Sequence, residues 1–120
     1  LQPLIYAYVA LGSALGGMLR YGISSWMAPA IGGSFPWWTL LINVLGSFVI
    51  GYAASYPAMP VPLRAVLIPG FCGGFTTFSA FSLETVALWR GEEVTKSILY
   101  AFSSLFFCAA ATLLGHRLAR

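Results

Sequence analysis

The chain has 120 residues, of which 59% are hydrophobic and only 8% charged, with a net charge of +3. A soluble domain carries about 25% charged residues, and one apolar core could not absorb this excess without large exposed patches. The basic residues are scattered over helix ends and loops, which excludes the clustered face that nucleic acid requires, so a lipid bilayer is the expected solvent.

A membrane-spanning helix needs about 20 predominantly apolar residues. Four windows meet this, at about residues 4–27, 38–56, 63–89 and 97–118. They predict a single transmembrane domain over 1–120 with no soluble domain or long linker. The joints carry turn chemistry: Pro29, Gly32-Gly33 and Pro36, then Pro57, Pro60 and Pro62, then Arg90 to Glu93. Trp37, Trp38 and Trp89 fall at span ends, where an aromatic belt is expected.

The first window contains Gly12-x-x-x-Gly16 with Ser13 and Gly17 beside it. Such a small-residue stripe permits close helix contact, either inside the protomer or across a dimer. The window lacks the basic start of a signal peptide and is expected to be retained. In the second window Thr39, Asn43 and Ser47 recur every four residues and share one helix face. Asn43 is the costliest of them in hydrocarbon, and it serves either as interhelical glue or as a polar path wall.

The third window contains GFCGGFTTFSAF, Gly70 to Phe81. Gly70, Gly73 and Gly74 each weaken a helix by about 1 kcal/mol relative to alanine, and Thr76 and Thr77 add β-branched stiffness. The pattern predicts a broken span. Freed backbone at membrane depth is tolerated only in protein or against a cavity, where it can hold an ion. A glycine-rich packing face in a continuous helix is the alternative. Phe78 and Phe81 share a face if helix resumes after the break. Their positive ring edges suit an anion path, although a core stripe would look the same. Glu84 is the one acid within a span, near its end.

In the fourth window Tyr100, Ser104, Cys108 and Thr112 form a ladder of hydroxyls and a thiol along one face. This is either a wet wall or a set of groups bonded back to their own helix carbonyls. Cys72 and Cys108 lie inside spans without metal-type spacing and read as small buried thiols. His116 stands alone near the last span's end. No nucleophile, base and acid can be assembled around it, so the chain is not read as an enzyme.

Four spans place both termini on one side. Arg64, Arg117 and Arg120 then face Arg90, Lys96 and Arg20, if Arg20 snorkels to its nearer end. Three against three gives the positive-inside rule nothing to choose. Either residues preceding Leu1 break the tie, or the protein inserts in both orientations, which would permit an antiparallel homodimer.

The pieces GGMLRYG at Gly16 to Gly22, TLLINVLGSFVIG at Thr39 to Gly51 and GFCGGFTTFSAFSLET at Gly70 to Thr85, with Tyr100 and Ser104, form a specific pattern. The sequence resembles the Fluc family of fluoride channels, also called CrcB proteins, over essentially its whole length. The resemblance implies an all-α membrane protein with four transmembrane helices and a broken third helix. It also implies an antiparallel dual-topology homodimer in the cell (inner) membrane, with two fluoride pores near the protomer interface. A structural sodium ion (Na+) at the dimer centre would be held by the backbone carbonyls of Gly73 and Thr76. Phe78 and Phe81 look like the paired pore phenylalanines and Asn43 like the pore asparagine. Ser104 and Tyr100 look like polar lining, Thr77 like a nearby hydroxyl, and Arg20 like the basic residue of the vestibule. Cys108 stands where some relatives would carry a small hydroxyl.

Two rival readings remain at this level. A small multidrug exporter also has four short spans but needs a carboxylate deep in the membrane, and none is evident. A non-transporting assembly subunit would show packing stripes and no ion flux.

Overall fold

The computed structural model describes residues 2–120, and every regular element among them is helical. Helix α1 spans Gln2–Ile31, α2 spans Trp37–Ser55 and the short α3 spans Val61–Ala65. A wider, π-type stretch follows over Val66–Cys72, then one turn, α4, over Gly73–Phe75. Helices α5, Phe78–Arg90, and α6, Val94–Leu118, complete the chain.

The breaks follow from local chemistry. Gly32 and Gly33 take left-handed φ values of +69° and +75°, which side chains resist, and end α1. Pro60 and Pro62 start α3, where a missing N–H has no helical partner to lose. Pro69 has no N–H to give to the Ala65 carbonyl, and the ladder widens around it. Thr76 (φ −83°, ψ 155°) and Thr77 (φ −148°, ψ 115°) are extended. Thr77 then caps α5, its hydroxyl accepting the Ala80 N–H at 3.1 Å.

The expected interruption by glycine differs in placement. Gly70 lies in the π-type stretch, Gly73 is helical at φ −62°, ψ −37°, and Gly74 sits in α4. The extended residues are the two threonines after them. These glycines serve approach between helices instead. A Cβ on Gly74 would meet the main chain of Ser13, and one on Gly12 or Gly16 would meet the backbone of residues 66–75. The Gly12-x-x-x-Gly16 stripe is therefore an intraprotomer contact. Gly51 and Gly115 seat α2 against α6 in the same way, backbone to backbone.

Among the described residues three stretches, Trp37–Ser55, Val61–Arg90 and Val94–Leu118, are long and apolar enough to cross a membrane. Helix α1 has the length, at 30 residues, but its glycines, serines, tyrosines and Arg20 leave it less apolar than the sequence reading supposed. The molecule is 50 Å long and 28 × 23 Å across, long enough to exceed a hydrocarbon core of about 30 Å. Large apolar side chains point outward along the helices, among them Leu105 and Phe106 on α6. This is the expected polarity of a surface facing lipid or another apolar surface.

Candidate functional site

A cavity of about 340 Å³ opens where α2, the extended threonines, the start of α5 and the middle of α6 meet. Asn43, Ser47, Thr76, Thr77, Phe78, Phe81, Ser104, Cys72 and Cys108 are on its wall. The structure thus gathers five of the fluoride-site residues expected from sequence: Asn43, Thr77, Phe78, Phe81 and Ser104. Tyr100 adjoins them, its ring centroid 5.1 Å from that of Phe81. Arg20 is not on this wall. Its Nε donates to the Gly74 carbonyl at 3.1 Å, so the side chain is tied to the helix turn before the break rather than free to snorkel.

Asn43 holds the extended segment. Its Nδ2 donates to Thr77 O at 3.1 Å, and its Oδ1 accepts the Thr77 N–H at 2.9 Å. This satisfies both main-chain groups of an unwound residue, as a low-dielectric interior requires. One amide hydrogen of Asn43 remains available. The Thr77 hydroxyl accepts from Ala80, and its own proton faces only a long 3.4 Å approach to the Ser79 hydroxyl. Ser104 Oγ is buried with no hydrogen-bond partner. Such a group costs about 1–3 kcal/mol, which points to a use for it. The phenyl rings of Phe78 and Phe81 lie 5.5 Å apart, tilted by 50°. Phe78 is 79% exposed, so its own protomer leaves most of that ring uncovered.

The polar ladder on α6 divides. Ser104 faces the cavity, whereas the single Thr112 hydroxyl proton is shared between its own helix at Cys108 O, 3.0 Å, and Ser47 O, 3.2 Å. Tyr100, fully buried, donates to Glu84 Oε1 at 2.8 Å. Thr39 donates to Glu84 Oε2, also at 2.8 Å. Glu84 is the participant that sequence reasoning passed over. Its signal was present, as the sole acid within a span, but pairing with Thr39 and Tyr100 requires three helices to be folded together. Since a phenol has one proton, Tyr100 cannot donate to an anion while it holds Glu84.

The extended residues also decide which oxygens a cation could use. The α-helical donor to Gly73 O would be the Thr77 N–H, which is given to Asn43 instead. Its carbonyl is neutral and freed of that donor, which suits a hard cation such as sodium. Thr76 has left the helix with its N–H still on Cys72 O at 3.0 Å. No cluster of His, Cys, Asp and Glu able to hold a metal occurs among the described residues. His116, in the last turn of α6, contacts the Ser55 hydroxyl and lies 3.4 Å from Arg120, apart from the cavity.

Apolar helices around a small cavity lined by hydroxyls, an amide and two phenyl rings define an integral membrane protein with a polar site inside it. Comparison with known proteins then fixes its family. The sequence model described as "CrcB-like protein, Camphor Resistance (CrcB)" matches residues 7–116, and the chain belongs to the CrcB family. Among its relatives is a protein of Thermus thermophilus named "Fluoride-specific ion channel FluC". It is 49% identical over 116 residues, covering 94% of this chain and 91% of the relative. Relatives of the same name from a second Thermus thermophilus strain and from Paramagnetospirillum magneticum are 48% and 46% identical, each covering 94% of this chain and 93% of their own.

Proposed function

We propose that this protein is a fluoride-selective channel, not an enzyme, that lets fluoride leave the cytoplasm passively across the cell (inner) membrane. The observation that carries the reading is the near-complete match to relatives named fluoride-specific ion channels. The cavity supplies a mechanism. Fluoride is small and strongly hydrated, so a pore must replace its water with donors while holding it loosely enough to release it. The Ser104 hydroxyl, the second amide hydrogen of Asn43 and the Thr77 hydroxyl can donate. The edges of Phe78 and Phe81 add diffuse positive potential without a full charge. Arg20 contributes from the vestibule, where a full positive charge attracts the anion without trapping it in the pore.

The working unit is a dual-topology antiparallel homodimer of protomers with four membrane helices each, α1 included, the third broken at Thr76–Thr77. The uncovered ring of Phe78 supports this assembly; the Lys/Arg tie does not, because Arg20 is held by the Gly74 carbonyl. Each dimer has two pores near the protomer interface. Sodium is structural: carbonyls of Gly73 and Thr76 would hold it, and it supplies a fixed positive charge that ties two broken helices together.

The test is efflux from liposomes loaded with potassium fluoride or potassium chloride and triggered by valinomycin. Release of fluoride without chloride is expected. No fluoride release from folded protein would overturn the reading in favour of a non-transporting assembly subunit.

A further inference from the structure

We propose that Phe35, in the α1–α2 loop and off the cavity wall, is a positioning residue. It fixes Tyr100, and through it the Glu84 carboxylate, at the edge of the pathway. The inference rests on the channel reading above.

The loop is seated on α6 at two successive turns. Ser34 Oγ donates to Glu93 Oε2 at 2.9 Å, and Lys96 Nζ donates to Ser34 Oγ at 3.0 Å while pairing with Glu93 at 2.7 Å. An exposed ion pair contributes little stability alone, so what this clasp supplies is register. Lys96 and Tyr100 are four residues apart and share a helix face. One turn along from the clasp, the Phe35 ring meets Tyr100 edge-on, centroids 5.5 Å apart at 79°. Phe35 is itself backed by Trp37 at 4.5 Å, and Pro36 between them is fully buried.

Tyr100 is therefore held by a loop ring, Phe35, and by a cavity ring, Phe81. Its phenol can turn only if one of them yields. The same loop delivers Thr39, four residues on, to the other carboxylate oxygen. If Phe35 is removed, Tyr100 regains torsional freedom and Glu84 loses a donor. A less screened carboxylate, off the cavity wall and one hydrogen bond behind the ring that adjoins Phe81, then opposes an anion on the path.

The experiment measures fluoride efflux from liposomes for wild type, F35A, F35Y, Y100F and F35A/Y100F, with a size-exclusion profile for each. F35A is expected to slow release by about threefold to tenfold, and F35Y to restore it. In the Y100F background, where there is no phenol proton to place, adding F35A is expected to change nothing further. An equal fold-loss in both backgrounds, or no loss from F35A, would overturn the proposal as a merely structural or absent effect. If F35A does not fold, S34A on the exposed clasp takes its place with a smaller loss, and an unchanged rate overturns the proposal. If Y100F conducts nothing, a 3-fluorotyrosine at Tyr100 decides: its fluorine resonance must move in F35A, and an unmoved line overturns the role. Silence of the wild type would instead remove the channel reading, and with it any part for Phe35 in flux.

Discussion

Asn43 and Thr77 are joined by two hydrogen bonds, the side-chain amide of one reading the main chain of the other as a neighbouring strand would, at 3.1 Å and 2.9 Å. This pair lets a chain leave helical geometry at Thr76 and Thr77 inside an apolar molecule. It also diverts the N–H that would otherwise occupy the Gly73 carbonyl.

Replacing Asn43 by alanine strands both main-chain groups of Thr77. Each buried unsatisfied group costs about 1–3 kcal/mol. A marked fall in thermal stability is expected for N43A in detergent, together with loss of fluoride flux. A variant with wild-type melting would show that water or another donor replaces the amide.

Ser104 separates stability from transport. Its hydroxyl is buried without a partner, so S104A is expected to melt no lower than wild type, or higher by up to about 1 kcal/mol of stability. Fluoride release should nonetheless fall. Phe81→Ile is expected to cut flux while leaving the assembly intact on size exclusion. Unchanged release in either variant would remove that residue from the pathway.

The glycine contacts predict a sharp contrast within α1. A Cβ at Gly12 or Gly16 runs into backbone of residues 66–75, whereas nothing lies within 4 Å of one at Gly22. G12A and G16A are expected to destabilise by about 1–3 kcal/mol. G22A should be neutral or stabilising by up to about 1 kcal/mol from helix propensity. Thermal melts of the three variants side by side check this.

The loop clasp carries a pH signature. Hydrogen bonds from Lys96 and Ser34 and the Lys96 charge hold the Glu93 carboxyl below its ordinary value of 4.5. A carboxyl depressed in the folded state contributes stability above its unfolded value and loses it as pH falls through the folded one. The stability difference between wild type and E93Q is therefore expected to be small near neutrality and to vanish in acid, below the ordinary carboxylate range. A difference that grows on acidification would contradict this assignment.

The assembly is checked from two directions. Exchange of sodium for a large organic cation is expected to abolish fluoride flux, and no sodium current should appear at any stage. A cysteine introduced at the C-terminus should label from both sides of the membrane. Labelling from one side alone would refute the antiparallel dimer.

Much of this molecule was legible as a string of residues. Three of the four apolar windows fall on stretches long and apolar enough to cross a membrane, and prolines and paired glycines lie at the joints, because both act through the local backbone. The motif around Thr76 and Thr77 marked an interruption, and the residues around Asn43 and Phe81 marked the family. The sequence could not say which residue of GFCGGFTTF leaves the helix. Glycine is a poor helix former but tolerates helical dihedrals, and here Gly73 and Gly74 keep them. The Asn43 amide captures the Thr77 backbone from another helix, and that contact exists only after packing. Glu84 was visible as a lone acid, yet its partners Thr39 and Tyr100 are 45 and 16 residues away. Likewise the Gly12 and Gly16 stripe offered a dimer contact or an internal one equally well. Tertiary structure decided for the internal contact because the backbone of residues 66–75 fills the space a side chain would need.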